Sequence, residues 1–99
     1  MNELEVFKAL SNTTRLQILH WLREPEKHFP PQEQCFDQVG VCVGQIQQKC
    51  GLTQSTVSEY LSLLQRAGLI TATRKGQWTY YKRNDEAFDA LGKFVQSTL

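Results

Sequence analysis

The chain has 99 residues, with 11 basic against 10 acidic side chains, 40% hydrophobic residues and three cysteines. This length fits one small domain spanning residues 1–99, and an odd number of cysteines excludes a complete set of internal disulfides, so we expect free thiols in a reducing cytoplasm. No run of 18 or more apolar residues occurs, and no basic segment precedes an apolar one at the start, so neither a membrane span nor a secretion signal is expected.

Two amphipathic helices are predicted before residue 24. Asn12 is placed to cap the second, because its side-chain oxygen can accept a hydrogen bond from a free backbone N–H of the first turn. Apolar residues recur at helical spacing in both helices. They are Leu4, Phe7 and Leu10 in the first and Leu16, Ile18, Leu19 and Leu22 in the second.

Residues 24–40 are predicted to form a long connecting loop. A connection of this length is uncommon in a compact domain and is usually functional or disordered. After it, residues 41–43 are expected to form a brief strand and residues 44–50 a short helix that ends at Gly51. The predicted loop contains Pro25, Pro30, Pro31, His28 and Cys35.

A longer helix is predicted over residues 53–68, where Thr53 can cap the start and Gly68 permits a left-handed residue at the end. One side is apolar and the other carries short polar side chains. A polar outer side is usual for a surface helix, but short side chains would also let the helix approach base edges in a major groove about 12 Å wide. The apolar side holds Val57, Leu61 and Leu64, and the polar side Ser55, Ser58, Glu59, Ser62 and Arg66.

Residues 69–83 are predicted to form a β-hairpin, the wing. Segments 69–73 and 77–83 are rich in β-branched and aromatic residues, and the sequence Arg74-Lys75-Gly76 between them suits a hairpin turn. The aromatic side chains of the second strand fall on both faces, so some would pack on the core and others could stay exposed near a phosphate backbone. These aromatic residues are Trp78, Tyr80 and Tyr81.

A last helix is predicted over residues 84–99. Asn84 can cap it, and Asp85 and Glu86 favour its positive end. Its apolar face requires a partner. The residues of that face are Phe88, Leu91, Val95 and Leu99.

Charge is distributed unevenly along the chain. Residues 42–83 hold six basic side chains and the single acid Glu59, a formal charge of +5, whereas the rest of the chain holds five basic and nine acidic side chains, a charge of −4. A dimer would bring two basic surfaces to an anionic duplex.

The whole pattern resembles the ArsR family of small bacterial winged-helix repressors, through LSNTTRLQILHWL, VGQIQQKCGLTQSTVSEYLSLLQRAGLI and RKGQWTYY. The resemblance implies a mainly α winged helix-turn-helix fold in the order α-α-β-α-α-β-β-α. It also implies a homodimer through the first and last helices, which represses transcription by covering double-stranded operator DNA until an inducer loosens it. The expected dimer residues are Leu4, Phe7, Phe88, Leu91 and Val95.

Residues expected to face bases or phosphates lie on the helix at 53–68 and on the wing. Glu59 departs from the family pattern, where a basic or neutral residue is common, and Tyr60 stands where many relatives have histidine. Glu59 could accept a hydrogen bond from a cytosine amino group or point away and deter wrong sites. The full set is Gln54, Ser55, Thr56, Ser58, Glu59, Ser62, Arg66, Arg74, Lys75 and Gln77.

The candidate residues for sensing the inducer that the resemblance implies are metal ligands and cysteines. The family's metal site in the last helix requires histidines, and this helix offers only carboxylates, so zinc is not expected there. Of the cysteine cluster in arsenic-sensing relatives, only Cys42 remains. Our hypothesis is a thiol switch in which Cys35 and Cys42 form a disulfide or persulfide bridge, or capture a soft metal or metalloid with Cys50 or the partner subunit.

Alternative functions follow from the same residues. The cysteines could be inert, with Cys50 filling the core, in a regulator that lacks a cysteine sensor. The winged helix could instead contact protein or RNA, because a fold does not dictate its ligand. Catalysis is not expected, because a cysteine paired with His28 would have no orienting third residue, phosphate-binding loop or carboxylate pair.

Overall fold

The computed structural model describes residues 2–99. It is mainly helical, with one small antiparallel sheet whose strand order is β1-β3-β2. This confirms the predicted winged helix-turn-helix fold, to which two four-residue helices are added. The elements are α1 Glu3–Leu10, α2 Thr13–Arg23, α3 Pro25–His28, α4 Phe36–Val39, β1 Val41–Cys42, α5 Val43–Cys50, α6 Gln54–Arg66, β2 Ile70–Lys75, β3 Trp78–Arg83 and α7 Asp85–Thr98.

The core lies where α1, α2, α5 and α6 meet the sheet. The predicted apolar side of α6 is confirmed, since each of its three residues is at most 1% exposed. The fully buried side chains of this core include Ile18, Ile46, Val57, Leu61, Leu64, Leu69 and Ile70.

The apolar stripe predicted for α1 lies mostly outside this core, and of its three residues only Leu10 packs against the core cluster. Val6 and Ala9 are the buried residues of α1, whereas Leu4 is 64% exposed. In α2, Leu16 likewise differs from the expected pattern and is 50% exposed. Helical spacing groups residues on one side of a helix, but it does not reveal which of two apolar sides meets the protomer's own core.

The segment 24–40 is not a plain connecting loop. It contains α3 and α4, and it packs on the core through Phe29 and Val39, which are 6% and 4% exposed. Pro25 occupies the first turn of α3, where its missing N–H removes no helical hydrogen bond. Single-turn helices are too short to show helical periodicity, so the sequence pattern could not reveal them.

Gly40 brings this segment directly against the sheet. Its φ angle is +88°, and a Cβ added to it would lie 2.0 Å from the carbonyl oxygen of Tyr81. Only glycine fits this combination of a positive φ and a close approach between two backbone segments. The segment is therefore held closely against β3 at Gly40.

Asn84 does not cap α7 as expected. Its side chain makes no hydrogen bond to the helix; its Nδ2 instead donates to the carbonyl oxygen of Gly68 at 2.8 Å. Its backbone N–H donates to the carbonyl oxygen of Leu69 at 2.9 Å. The start of α7 is thus tied to the end of α6, a long-range contact that local capping rules cannot foresee.

Among the described residues, no helix is both long and apolar enough to cross a lipid bilayer.

Candidate nucleic-acid interface

Helices α5 and α6 form the helix-turn-helix pair around Gly51. Gly51 has a left-handed backbone with φ 68°, and its N–H donates to the carbonyl oxygen of Gln47 at 3.1 Å. Thr53 then begins α6 as predicted, with its Oγ1 accepting the Thr56 N–H at 3.3 Å. A left-handed glycine followed at once by a capped start turns the chain sharply between the two helices.

The polar side of α6 faces away from the core. All but one of the predicted contact residues on this helix are exposed. The exception is Thr56, which is half-buried and whose Oγ1 accepts a hydrogen bond from the Thr53 hydroxyl at 2.9 Å. Thr56 is therefore part of the hydrogen-bonded N-terminal cap of α6. The exposed residues are Gln54, Ser55, Ser58, Glu59, Ser62 and Arg66.

The hairpin turn lies one to two residues later than predicted. Lys75 pairs with Trp78 at the end of the ladder, so Gly76 and Gln77 form the turn, and Arg74 and Lys75 belong to β2. Gly76 supplies the positive φ of 61° that such a tight turn needs. Arg74, Lys75 and Gln77 are all exposed, and Arg74 Nε donates to the carbonyl oxygen of Gly76 at 3.1 Å.

Three of the six basic residues between 42 and 83 are engaged elsewhere. The Lys49 amino group lies 5.2 Å from the ring centroid of Trp21, and that of Lys82 donates to the Asp37 carbonyl oxygen. Arg83 pairs with Asp85 and lies 3.9 Å from the ring centroid of Phe88.

The other three basic residues remain available. Arg66, Arg74 and Lys75 are exposed and form no ion pair with any residue in the range 2–99. The free positive charge of this half of the chain is thus concentrated at the end of α6 and at the wing. These are the places where a polyanion would meet the least competition from the protein's own carboxylates.

Apolar side chains of α1 and α7 lie beside one another at the surface. The rings of Phe7 and Phe94 lie 6.4 Å apart, so the two helices are neighbours. No residue of α7 is buried, and Val95 is 44% exposed. The predicted interface residues Phe7, Phe88 and Leu91 are half-buried, while Leu4 and Val95 are exposed. The sequence analysis missed Phe94, although its position three residues after Leu91 is a helical spacing.

The three cysteines are free thiols in different settings. Cys35 is exposed and precedes α4, and Cys42 is half-buried in β1 opposite Tyr80. Cys50 ends α5 against the core, and burial raises the pKa of its thiol. Burial also raises the pKa of the Tyr80 hydroxyl, which the nearby charges of Cys42 and Glu33 raise further.

The cysteines do not assemble into a metal site within one protomer. Residues 2–99 contain no cluster of three or more histidine, cysteine, aspartate or glutamate side chains that could hold a metal ion. The expectation that Cys50 supplies a third ligand beside Cys35 and Cys42 is therefore wrong for a single chain. Cys50 instead packs as core filler at the end of α5.

Gln32 links the predicted loop to the helix-turn-helix. Its Nε2 donates to the Gly40 carbonyl oxygen at 2.7 Å, and its Oε1 accepts the Cys42 N–H at 3.1 Å. The same oxygen accepts from Gln45 Nε2 at 3.2 Å. A displacement of the segment 24–40 would therefore also displace Cys42 and the first turn of α5. Nothing in the local sequence around Gln32 indicated this role.

Comparison with known proteins agrees with this geometry. The family described as "Bacterial regulatory protein, arsR family" matches residues 41–72. The chain is 54% identical over 100 residues to an uncharacterized HTH-type transcriptional regulator, YbzH, of Bacillus subtilis (strain 168), with all of both chains covered. It is 35% identical to the arsenical resistance operon repressor of the same organism, over 86% of this chain and 69% of that protein.

Solved structures place the fold in the same group. One is the homodimeric winged helix-turn-helix DNA-binding domain Mb0332 from Mycobacterium bovis, described as a possible ArsR-family regulator. It is 31% identical, with a TM-score of 0.66, over 94% of this chain and 73% of that one. The chain therefore belongs to the ArsR family and is a winged helix-turn-helix, DNA-binding transcription regulator rather than an enzyme.

Proposed function

We propose that the protein is a homodimeric repressor that covers a double-stranded operator. The observation that carries this proposal is the pairing of an exposed, short-chained polar side on α6 with uncompensated cations at Arg66, Arg74 and Lys75. The side chains of α6 would face base edges in the major groove, and the wing cations would meet phosphates. A relative that is named as an operon repressor supports repression as the outcome.

Dimerisation supplies the second reading helix. The apolar surface of α1 and α7 is too exposed to be satisfied by one protomer, and the M. bovis relative is described as homodimeric. Two copies related by a two-fold axis would present their α6 helices to half-sites about one helical turn, roughly 34 Å, apart.

The proposal is tested with labelled duplexes. The DNA flanking the protein's own coding region and a shuffled duplex of equal length and composition are titrated at several salt concentrations. We expect affinity to fall with salt for both and a specific excess of at least about a thousandfold for the operator. Equal affinity for the two duplexes, or tighter binding to RNA of matching sequence, would contradict an operator-binding role.

We further propose that a thiol-directed signal releases the operator through Cys35 and Cys42. Cys35 lies within the segment that Gln32 and Gly40 hold against β1 and β3, whereas Cys42 lies in β1 and directly precedes α5. A disulfide or polysulfide bridge between them would pull on the start of the helix-turn-helix. A soft metal or metalloid would need a ligand beyond these two thiols, which the partner subunit could supply.

Cysteine variants distinguish a thiol-directed signal from thiols that have no regulatory role. Operator affinity is measured for reduced protein and for protein treated with a disulfide or a polysulfide. We expect weaker binding after treatment for the unaltered chain and for Cys50→Ser, the matched control, but no change for Cys42→Ser or Cys35→Ser. Equal affinity of reduced and treated protein throughout would reject the thiol signal and leave operator binding intact.

A further inference from the structure

The end of the wing carries an exposed indole. Trp78 opens β3, and 51% of its surface is accessible. Within residues 2–99, strand β1 pairs only with Tyr80 and Tyr81, so the hairpin beyond Tyr80 is a two-stranded ribbon without a third strand beside it. Tyr80 lies on the same face as Trp78 but over the body of the protein, and it is only 5% exposed. The exposure of Trp78 therefore follows from its position on the free end of the ribbon.

The neighbours of this indole are basic. Lys75 lies directly opposite Trp78 in the ladder, and directly opposed residues share a face. Arg74 pairs with Thr79 on the other face of the ribbon. The sequence contains no aspartate or glutamate between Glu59 and Asp85. The free end of the wing thus combines one large apolar ring with two cations and lacks any nearby acidic residue in the sequence.

This chemistry matches a polyanion that also offers apolar surface. The sugar–phosphate backbone of duplex DNA has both, because each phosphate is followed by a deoxyribose ring with an apolar face. An indole can pack on that face and donate its N–H, while a neighbouring ammonium group neutralises a phosphate. An acidic peptide would satisfy the cations, but it offers no repeating apolar ring in register with its charges.

We propose that Trp78 is a DNA-contacting residue of the wing. Its ring packs against a deoxyribose of the operator, its Nε1–H donates to an adjacent phosphate oxygen, and Lys75 pairs with the next phosphate. The inference rests on the proposed operator binding and adds a contact that carries no sequence information, because all four nucleotides share the same sugar. Trp78 strengthens binding, whereas α6 selects the site.

An uncharged contact has a distinct salt signature. Trp78→Ala is expected to weaken binding about tenfold per wing for operator and random duplex alike, with an unchanged slope of log affinity against log salt. Lys75→Ala is expected to reduce that slope by about 1 per protomer. Trp78→Phe keeps an apolar ring but loses the N–H donor, so its affinity should lie between those of the unaltered chain and Trp78→Ala.

The indole can also report its own contact. The chain has two tryptophans, so Trp21→Phe leaves Trp78 as the only one. Trp21 lies half-buried on α2 beside Phe29. We expect acrylamide, a neutral quencher, to quench Trp78 emission efficiently in free protein and much less after duplex is added. Circular dichroism and melting temperature verify that every variant is folded, and sedimentation verifies that it is dimeric.

The outcomes separate this inference from the proposed function. If Trp78 stays equally quenchable on DNA and Trp78→Ala binds with unaltered affinity, the inference is overturned while operator binding stands. If Trp78→Ala dissociates the dimer, the indole belongs to a protein interface and the inference also fails. If the unaltered chain binds no duplex at all, the proposed function itself is wrong.

Discussion

Single residues fix several contacts that the sequence pattern does not reveal. Gly40 meets the backbone of Tyr81, Gln32 bridges three partners, and Asn84 joins two helices through its side-chain amide. By contrast, the caps of Asn12 and Thr53 were predictable, because a cap bonds to residues two or three positions away. Hydrogen bonds between residues that are close in sequence can be predicted from the sequence, whereas contacts between residues that are far apart in sequence cannot.

Gly40→Ala is expected to destabilise the protein by about 3 kcal/mol, because the new Cβ would clash with the Tyr81 carbonyl and the positive φ would be strained. For a domain of this size, that corresponds to a fall in melting temperature of roughly 12–24 °C. Thermal unfolding followed by circular dichroism measures it. Gly44→Ala is the matched control: it lies in α5 with no atom within 4 Å of the added Cβ, and it should stabilise slightly. Similar melting temperatures for the two variants would contradict the close approach at Gly40.

The three thiols should differ in their rates of alkylation, in the order Cys35, then Cys42, then Cys50. Exposure falls from Cys35 to the other two, and burial raises the pKa of Cys50, which reduces its reactive thiolate fraction at a given pH. The labelling rate of Cys50 should therefore rise with pH over a higher pH range than the labelling rate of a solvent-exposed thiol. Timed iodoacetamide labelling with mass spectrometry checks the order, and fast labelling of Cys50 near neutral pH would contradict its buried placement.

At the scale of the element, the helices of the core were more predictable than the segments between them. The apolar side of α6 was correct because three buried residues at helical spacing leave no other orientation. The hairpin was located, but its turn was misplaced by one to two residues, since β-propensity does not fix where a ladder ends. Helices α3 and α4 escaped prediction because four residues show no period.

Asn84 offers a test of how α6 and α7 are connected. An aspartate at position 84 would be a good helix cap, but its side chain cannot donate to the Gly68 carbonyl. We therefore expect Asn84→Asp and Asn84→Ala each to lower the free energy of unfolding by about 1 kcal/mol. Chemical denaturation measures the free energy of unfolding. Retained or increased stability in Asn84→Asp, with a loss only in Asn84→Ala, would show that Asn84 acts as an ordinary cap.

The wing cations should act on affinity without acting on site preference. Arg74→Ala or Lys75→Ala is expected to weaken operator and random duplex binding alike and to flatten the salt dependence, as phosphate contacts do. Ser55→Ala or Ser58→Ala should instead change the preferred site, because these residues are exposed on α6. Anisotropy titrations over a salt series distinguish the two behaviours. An unaltered salt slope in both wing variants would place the wing away from the DNA.

At the scale of the whole molecule, the sequence predicted an unpartnered apolar surface but not its full extent. The apolar face of α7 was apparent from helical spacing, and Leu4 and Phe7 of α1 were expected at the surface between protomers. Leu4 is exposed, and Phe7 lies beside Phe94, which the sequence analysis did not include. A single sequence does not separate residues that are buried by folding from those that are buried by association.

Replacing Leu91 or Val95 by glutamate is expected to yield monomers and to reduce operator affinity by at least about a hundredfold, because a buried unpaired carboxylate opposes association and one protomer reads one half-site. Sedimentation velocity measures the oligomeric state. Gln96→Glu adds the same charge to an exposed position of α7 beside the apolar face and should remain dimeric. Dimers of unchanged stability in Leu91→Glu and Val95→Glu would reject this interface.

The amide of Asn84 holds the helix expected to pair the protomers to the end of the helix expected to read the bases. We therefore expect a rotation of α7 to carry α6 with it, so that the distance between the two reading helices would depend on the pairing surface and not on the polar side of α6. Evolution can then exchange Ser55, Ser58 or Glu59 to recognise a new target while the target's spacer length stays constant. A chimera with foreign residues at those three positions should accordingly prefer new half-sites at the old separation.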